Sequence, residues 1–334
     1  MPNNSPESRV NMSDSFDTHA QAKADRTHFV APFDQTGLGD IDSITVEDKP
    51  TNLWRDAWRD MRGRPMFWIS AVIIFVVVLV ALFPSWFTDL DPRSCMLKNS
   101  NQPPSEGHWL GYTKQGCDIY ARIVYGTSTS VTVGFIVIVL TSSIGVVMGA
   151  LAGYFGGFFD TVLSRIGDIF FSIPYILAAI VVMSVLSDYR NVWVISLAIG
   201  GFAWPVTARI MRAEVLRVKT QDFVVASEAL GLSRMRALVR HVLPNAIAPV
   251  IVVTTLSLAS AIVAEAVLSF LGVGLPPGQF LSWGNDISQA QSDLRTEPRA
   301  LIWPSVALSV TVLGFVMMGE VVRDALDPKA RAQR

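Results

Sequence analysis

A run of eighteen residues, 66–83, most constrains this chain: it is apolar except for Ser70 and is enclosed by Pro65 and Pro84. Because an α-helix rises about 1.5 Å per residue, the run reaches about 27 Å and can cross the hydrocarbon core of a bilayer. Of the 334 residues, 51% are hydrophobic and 16% are charged, whereas soluble proteins carry about 25% charged residues. The sequence therefore predicts an integral membrane protein.

Five further apolar segments bring the prediction to an all-α integral membrane fold with six transmembrane helices. These segments are residues 127–152, 163–187, 192–216, 246–271 and 301–322. Gly145, Gly149 and Gly153 recur at every fourth residue, a stripe of small side chains that lets a neighbouring helix approach closely in lipid. Pro174 and Pro205 predict kinks in two of the helices.

The distribution of basic residues predicts the orientation of the chain. If the N-terminus is cytoplasmic, 20 Lys and Arg fall on the cytoplasmic side and 7 on the outer side, which agrees with the positive-inside rule. Residues 1–50 hold nine acidic and four basic residues without an apolar period, so we expect a disordered cytoplasmic tail and no signal peptide. Residues 326–334 are then the cytoplasmic C-terminus.

The segment before the first span is amphipathic. Residues 51–84 contain this segment and the span, and Trp54, Trp58 and Met61 share one helical face while arginines lie elsewhere. Such a pattern is typical of a helix in the membrane interface, with its arginines toward the headgroups. The alternative is that the segment is simply the cytoplasmic start of the first span.

A polar and basic loop at 217–245 joins the fourth and fifth spans. Two rows of its apolar residues keep helical spacing: Phe223, Ala226 and Leu230, then Met235, Leu238 and Val242. Because no lipid covers them there, the rows predict a face that docks on a protein partner, whereas the alternative is an ordinary positive-inside loop. Gly231 permits a sharp turn between two short helices.

This loop resembles the EAA motif, the coupling loop of membrane subunits in bacterial ABC importers. That motif has Glu-Ala-Ala, a Gly six residues after the Glu, and then Leu-Pro. The matching residues are Gly231, Leu243 and Pro244, and the places of Glu-Ala-Ala hold Val225, Ala226 and Ser227. Glu228 lies three residues on, near the same helical face, and is the candidate to replace the missing acidic residue.

Five segments in the expected order resemble the peptide and nickel permease branch of these importers. They read HWLGYTKQGCDIYARIVYG, LAGYFGGFFD, RHVLPN, LSFLGVGLPPGQFLSWG and RDALDP. Within this branch the chain is most similar to the C-type subunit of dipeptide and oligopeptide permeases. The resemblance implies a type I ABC importer permease core over residues 126–325, preceded by an extracytoplasmic loop over residues 85–125, in the bacterial inner membrane.

The same resemblance implies partner subunits and indicates which of them bind ATP. We expect a second permease subunit of the B type, two cytoplasmic ATPase subunits, an extracytoplasmic peptide-binding protein and the lipid bilayer. ATP and magnesium are expected on the ATPases, so this chain is expected to bind no cofactor and to be no enzyme. It lacks the G-x-x-x-x-G-K-[ST] loop and the His-Glu-x-x-His helix, and its net charge of −1 offers no basic excess for nucleic acid.

Four further residues are candidates for special roles. Cys95 and Cys117 are either two incidental thiols or a disulfide, and the oxidising side of the membrane and their 22-residue separation favour the disulfide. Charges within spans mark functional positions. Asp168 and Glu265 are both candidates for the translocation path. The alternative for Asp168, favoured by its place near the cytoplasmic end, is packing against the coupling loop, and the alternative for Glu265 is hydrogen bonding between helices.

The function expected from these observations is the import of di- or oligopeptides, with this chain forming half of the translocation path. The same architecture also serves nickel chelates and other small solutes. Two other classes are a membrane enzyme, for which the sequence shows no cluster of catalytic residues, and an ATP-independent secondary transporter, which would have repeated halves and more charge in its spans.

Overall fold

The computed structural model describes residues 53–326, with the side chains of residues 53 and 54 left out. The predicted tail at 1–50, residues 327–334 and the side chain of Trp54 lie outside the described part. Within it, regular structure is helical apart from two isolated β-bridges, Ser105 to His108 and Tyr112 to Asp118. The all-α prediction is confirmed for this range.

The helices are numbered α1 to α12 along the chain. They are α1 (Leu53–Arg62), α2 (Pro65–Leu82), α3 (Ile119–Phe155), α4 (Gly157–Ser172), α5 (Tyr175–Val185), α6 (Val192–Val218), α7 (Asp222–Ala229), α8 (Arg234–Ala237), α9 (Leu243–Ala246), α10 (Ala248–Phe270), α11 (Trp283–Ala290) and α12 (Arg299–Leu326). A π-helical turn, Leu238–Val242, joins α8 to α9. Short 3₁₀ turns lie at Pro84–Trp86, Leu97–Asn99, Ser187–Tyr189 and Gln291–Asp293.

Within residues 53–326, five helices are long and apolar enough to cross a membrane: α2, α3, α6, α10 and α12. The pair α4 and α5 makes a sixth span if it is counted as one, and its two helices meet at an angle of 78°. The break falls at Ile173 and Pro174, so the predicted span 163–187 is sharply bent rather than gently kinked. Helix α6, by contrast, continues through Pro205.

Helices α3 and α6 pack side by side along the glycine stripe. A Cβ atom added to Gly149 would lie 2.3 Å from the backbone oxygen of Ala208, and one added to Gly153 would lie 2.8 Å from that of Arg212. Only glycine permits this approach. The 37 residues of α3 extend over about 55 Å, which is longer than the hydrocarbon core, so the helix projects beyond it.

The ends of α3 define the two ends of the bundle. The disulfide end, named for the Cys95–Cys117 disulfide that lies there, holds residues 84–118 and 271–298, and the α7 end holds the loop from α6 to α10. Helix α1 is separate from α2, because the chain breaks at Gly63 and Arg64, and it packs on the α7 end of α12. The Arg64 guanidinium lies 2.5 Å from the Asp324 carboxylate of α12. The alternative in which α1 merely extends the first span is therefore wrong.

Candidate functional site

Helix α7 lies at one end of the bundle and presents an apolar outer face. Phe223 is 47% exposed, Leu230 just after the helix is 89% exposed, and Ala226 between them is also exposed. The opposite side of the helix is anchored by Val224, which is 1% exposed. The first apolar row of the loop therefore points away from the bundle, where a partner can reach it. Ala229, which the sequence prediction did not include, is exposed as well.

The turn after α7 depends on Gly231. Its φ is +91°, a left-handed conformation that side chains with a Cβ rarely adopt. The backbone N–H of Gly231 donates to the Glu228 carbonyl at 2.9 Å, and that of Leu232 donates to the Ser227 carbonyl at 3.1 Å. These two bonds are the Schellman ending of a helix. The predicted turn between two short helices is present, and its geometry requires a glycine.

The second apolar row packs inward, contrary to the expectation of a docking face. Leu238 is 2% exposed and Val242 is fully buried, and of this row only Met235 is largely exposed, at 52%. The buried residues belong to a cluster at the α7 end that also contains residues of α3, α6, α7 and α10. Helical spacing identifies an apolar face but does not say on which side it lies, which is why the sequence could not separate the two rows.

A hydrogen bond between side chains ties α7 to α3. The Tyr154 hydroxyl donates to the carboxylate of Glu228, and the tyrosine is 9% exposed while Glu228 is exposed. Glu228 is thus held by this chain itself. Arg212 of α6 similarly contacts Asp160 of α4 through two hydrogen bonds, at 2.5 and 2.7 Å. The loop, α3, α4 and α6 are linked at this end.

The remaining residues of the coupling motif occupy the same end. Val225 is 57% exposed, and the Ser227 hydroxyl donates to the backbone oxygen of Val224 at 2.7 Å. Leu243 is half-buried and begins α9, and Pro244 is exposed in its first turn. A proline is tolerated there because the first turn of a helix has no internal partner for its N–H.

The hydrogen bond and ion pairs of Asp168 are with residues of α4 and α6. Its carboxylate accepts a hydrogen bond from Arg209 of α6 at 2.9 Å, and Arg165 lies 3.8 Å away on its own helix. The guanidinium of Arg209 also stacks over the ring of Phe171, 3.7 Å from its centre. Asp168 therefore fastens α4 to α6. Sequence alone could not choose this partner, which lies 41 residues away.

Glu265 is fully buried and takes part in hydrogen bonds between helices. Its carboxylate accepts from the Ser130 hydroxyl of α3 at 3.0 Å and from the Ser269 hydroxyl of α10 at 2.9 Å. The backbone N–H of Trp283 in α11 donates to the same Ser130 hydroxyl at 3.3 Å. Of the two roles predicted for Glu265, these hydrogen bonds correspond to the inter-helix one.

A cavity at the break between α4 and α5 is the feature that sequence reasoning missed. It has a volume of about 320 Å³ and is lined by α3, α6 and α10 as well as by the break itself. Every lining residue is uncharged. Aromatic rings come from Phe171, Tyr175 and Phe202, and hydroxyl groups from Ser257 and Ser260. The signal in the sequence was Pro174, which indicated a bend but not the cavity beside it.

The disulfide end is held by covalent and ionic links. Cys95 and Cys117 form a disulfide with an S–S distance of 2.03 Å, the pairing that the sequence favoured. Closing a loop of this size stabilises a fold by about 3 kcal/mol in the chain-entropy account. Within the same loop, Lys114 lies 2.7 Å from Asp293, which follows α11.

A buried ion pair fastens α11 to α3 at this end. The guanidinium of Arg122 donates to the carboxylate of Asp286, and both side chains are buried. Burial raises the pKa of the Asp286 carboxyl, and the nearby Arg122 opposes that rise. The loop with the disulfide and the segment after α10 therefore form one connected cap over the bundle.

Comparisons with known proteins place this architecture in a family. Residues 145–332 match the model of the "binding-protein-dependent transport system inner membrane component", and residues 52–104 match the "N-terminal TM domain of oligopeptide transport permease C". The chain is 36% identical to the oligopeptide transport system permease protein OppC of Bacillus subtilis over 87% of its own length and 94% of that protein.

Another relative agrees with this assignment, and a solved structure shares the fold. The glutathione transport system permease protein GsiD of Escherichia coli O157:H7 is 35% identical over 86% of this chain and 94% of its own length. An inward-facing structure of the MetNI methionine ABC transporter superposes with a TM-score of 0.51 and 20% identity over 61% of this chain and 96% of the matched chain. This likeness concerns the fold.

Proposed function

Because the chain belongs to the family of binding-protein-dependent transport system inner membrane components, we propose that it is one permease subunit of an ATP-driven peptide importer in the bacterial inner membrane. The observation that carries the mechanism is the outer face of α7. It is apolar, exposed and rigidly attached to the bundle. A surface of this kind outside the membrane spans suits a protein partner.

The orientation follows from the basic residues. The α7 end carries the larger share of Lys and Arg, so it lies in the cytoplasm, with both termini of the chain, and the disulfide end lies outside. A disulfide also persists on the oxidising side. In this arrangement α7 meets the cytoplasmic ATPases, and the cap at the disulfide end meets the extracytoplasmic binding protein.

The cavity beside Pro174 is the proposed contribution of this subunit to the translocation path. It opens between spans, and a second permease subunit would close it from the other side. Its hydroxyl groups can exchange hydrogen bonds with peptide groups, and its aromatic rings offer apolar contact. Because the lining is uncharged, it favours no particular peptide charge. The choice of cargo then rests with the binding protein.

Peptides are the cargo class favoured by the relatives. Their names specify oligopeptide and glutathione transport, and both cargoes contain peptide bonds. In the proposed cycle, ATP draws the two ATPases together and moves α7, and the attached ends of α3 and α6 follow. The bundle then opens outward to accept peptide, and hydrolysis restores the inward-facing state.

The test is copurification with the ATPases. Ala226→Asp places a carboxylate at the centre of the outer face of α7, and burying it unpaired against a partner costs several kcal/mol. We expect recovery of ATPase subunits with the tagged chain to fall more than about tenfold, a change that requires only about 1.4 kcal/mol. Insertion should be unaffected, since the change lies outside the spans.

A matched control is Leu97→Asp. Leu97 is 79% exposed at the disulfide end, so the same exchange of an apolar side chain for a charge should leave ATPase recovery at the wild-type level. If Ala226→Asp also retains the ATPases, α7 is not the docking element. If no ATPase copurifies with the wild-type chain, the chain does not act as an importer subunit.

A further inference from the structure

Helix α1 separates its charges onto two sides. Arg55, Arg59 and Arg62 recur at positions i, i+4 and i+7, so they share one helical face, and all three side chains are exposed. These three residues are called the arginine face. Ala57 on the other side of the helix is 2% exposed and packs against the bundle.

Asp60 and Asp324 are engaged by Arg64, whereas the arginine face has no such ion pair. Arg64, which follows α1, pairs with Asp324 at 2.5 Å and with Asp60 at 3.5 Å. Among the ion pairs of residues 53–326, none involves a member of the arginine face. Three guanidinium groups thus lie side by side without a neutralising carboxylate in the described part of the chain.

Two tryptophans flank the arginine face. Trp58 lies on α1 and is 51% exposed, and Trp68 in the first turn of α2 is 55% exposed. The ring of Phe67 packs edge-on against both, at 5.6 and 5.3 Å, and the Trp68 indole N–H donates to the backbone oxygen of Arg62 at 3.0 Å. The arginine face is therefore fixed beside the first turn of an apolar span.

We propose that the arginine face binds the phosphate headgroups of anionic phospholipids. Tryptophan prefers the boundary between the hydrocarbon core and the headgroups, so Trp58 and Trp68 set the depth of α1. At that depth the guanidinium groups reach the phosphates, which they can bind through paired hydrogen bonds. The lipid would hold α1 against the membrane, and Arg64 transmits that position to the end of α12.

The experiment titrates dioleoylphosphatidylglycerol or dioleoylphosphatidylcholine into the full chain purified in detergent, with bound lipid counted by native mass spectrometry. The wild-type chain should prefer phosphatidylglycerol. A basic residue near an anionic membrane surface contributes about fivefold in affinity, so each single Arg→Gln change in the face should raise the Kd for phosphatidylglycerol by up to that factor. Glycerol 3-phosphate, which lacks acyl chains, should not compete.

The control replaces three other exposed arginines at the same end, R234Q/R236Q/R240Q. It removes the same charge as R55Q/R59Q/R62Q, so equal losses of phosphatidylglycerol would mean that total charge matters and would overturn the proposal. Deletion of residues 1–48 should not change the affinity. If preference for phosphatidylglycerol appears only after that deletion, the acidic N-terminal segment covers the arginine face and the proposed lipid does not.

Discussion

The hydrogen bond between Tyr154 and Glu228 should determine how firmly α7 is attached to the bundle. Tyr154→Phe removes the hydroxyl that donates to the Glu228 carboxylate and leaves the buried ring in place. A hydrogen bond to a charged group contributes about 1.5–3 kcal/mol. Because Glu228 is exposed and regains water when the bond is lost, we expect the low end of this range, about 1.5 kcal/mol.

That energy changes the ratio of attached to detached α7 about tenfold. The assay is ATP hydrolysis by the assembled importer in lipid, with and without the binding protein. We expect Tyr154→Phe to keep hydrolysis in the absence of the binding protein and to lose most of the stimulation by it. Glu228→Ala should have the same effect, and Arg234→Ala and Arg236→Ala on the far side of Gly231 should be milder.

A double-mutant cycle distinguishes the bond between Tyr154 and Glu228 from a salt bridge between Glu228 and the ATPase. If Glu228 acts only through Tyr154, the double variant should be no worse than either single variant, with an interaction energy of about 1.5 kcal/mol. If Glu228 instead replaces the missing acidic residue of the coupling motif, Glu228→Ala should be clearly worse than Tyr154→Phe. Strict additivity of the two changes would refute the anchoring argument.

Two further changes test the loop and the cavity. Gly231→Ala should destabilise the turn by about 1–2 kcal/mol, because the φ of +91° disfavours a Cβ even though no other atom lies within 4 Å of it. Stimulation of ATP hydrolysis by the binding protein should therefore fall. The control, Gly278→Ala, has an ordinary φ and equal space, and should have no effect. Ser260→Trp should fill the cavity and stop peptide uptake, while the recovery of ATPase subunits stays normal. The control, Ile69→Trp on the exposed side of α2, should leave peptide uptake unchanged. Uptake that survives Ser260→Trp would exclude the cavity from the path.

Much of the fold was predictable because apolar length is a local property. The run at 66–83 is long enough to span a bilayer whatever surrounds it, and helix α2 is found there, over Pro65–Leu82. The ends of the other helices were less accurate. Helix α3 begins at Ile119 rather than near 127, because its first turns are capped by Asp118 and packed within the cap at the disulfide end.

Side-chain partners could not be predicted, because they depend on how helices pack. The sequence is compatible with Glu265 on the translocation path or in an interface between helices. Its hydrogen bonds to Ser130 and Ser269 depend on how the helices pack and could not be predicted. Val242 holds the same place in its row as Leu230 holds in the first row, yet Val242 is fully buried and Leu230 is 89% exposed. Which side of a helix is covered by the bundle depends on residues far away in the sequence, so the periodicity of one segment does not predict it.

The packing of α3 on α6 gives the proposed mechanism its physical basis. Gly149 and Gly153 bring the two backbones so close that a Cβ at either position would lie within 3 Å of a backbone oxygen of α6. The buried cluster at the α7 end joins the same two helices to the coupling loop. A displacement of α7 is then transmitted along the pair of helices α3 and α6 over about 40 Å, which is the length of the 27-residue α6. The bend at Pro174 has no such close pairing through glycine, and it borders the cavity. Under the proposed function, the rigid pair moves as one, and the change of shape is concentrated at this bend.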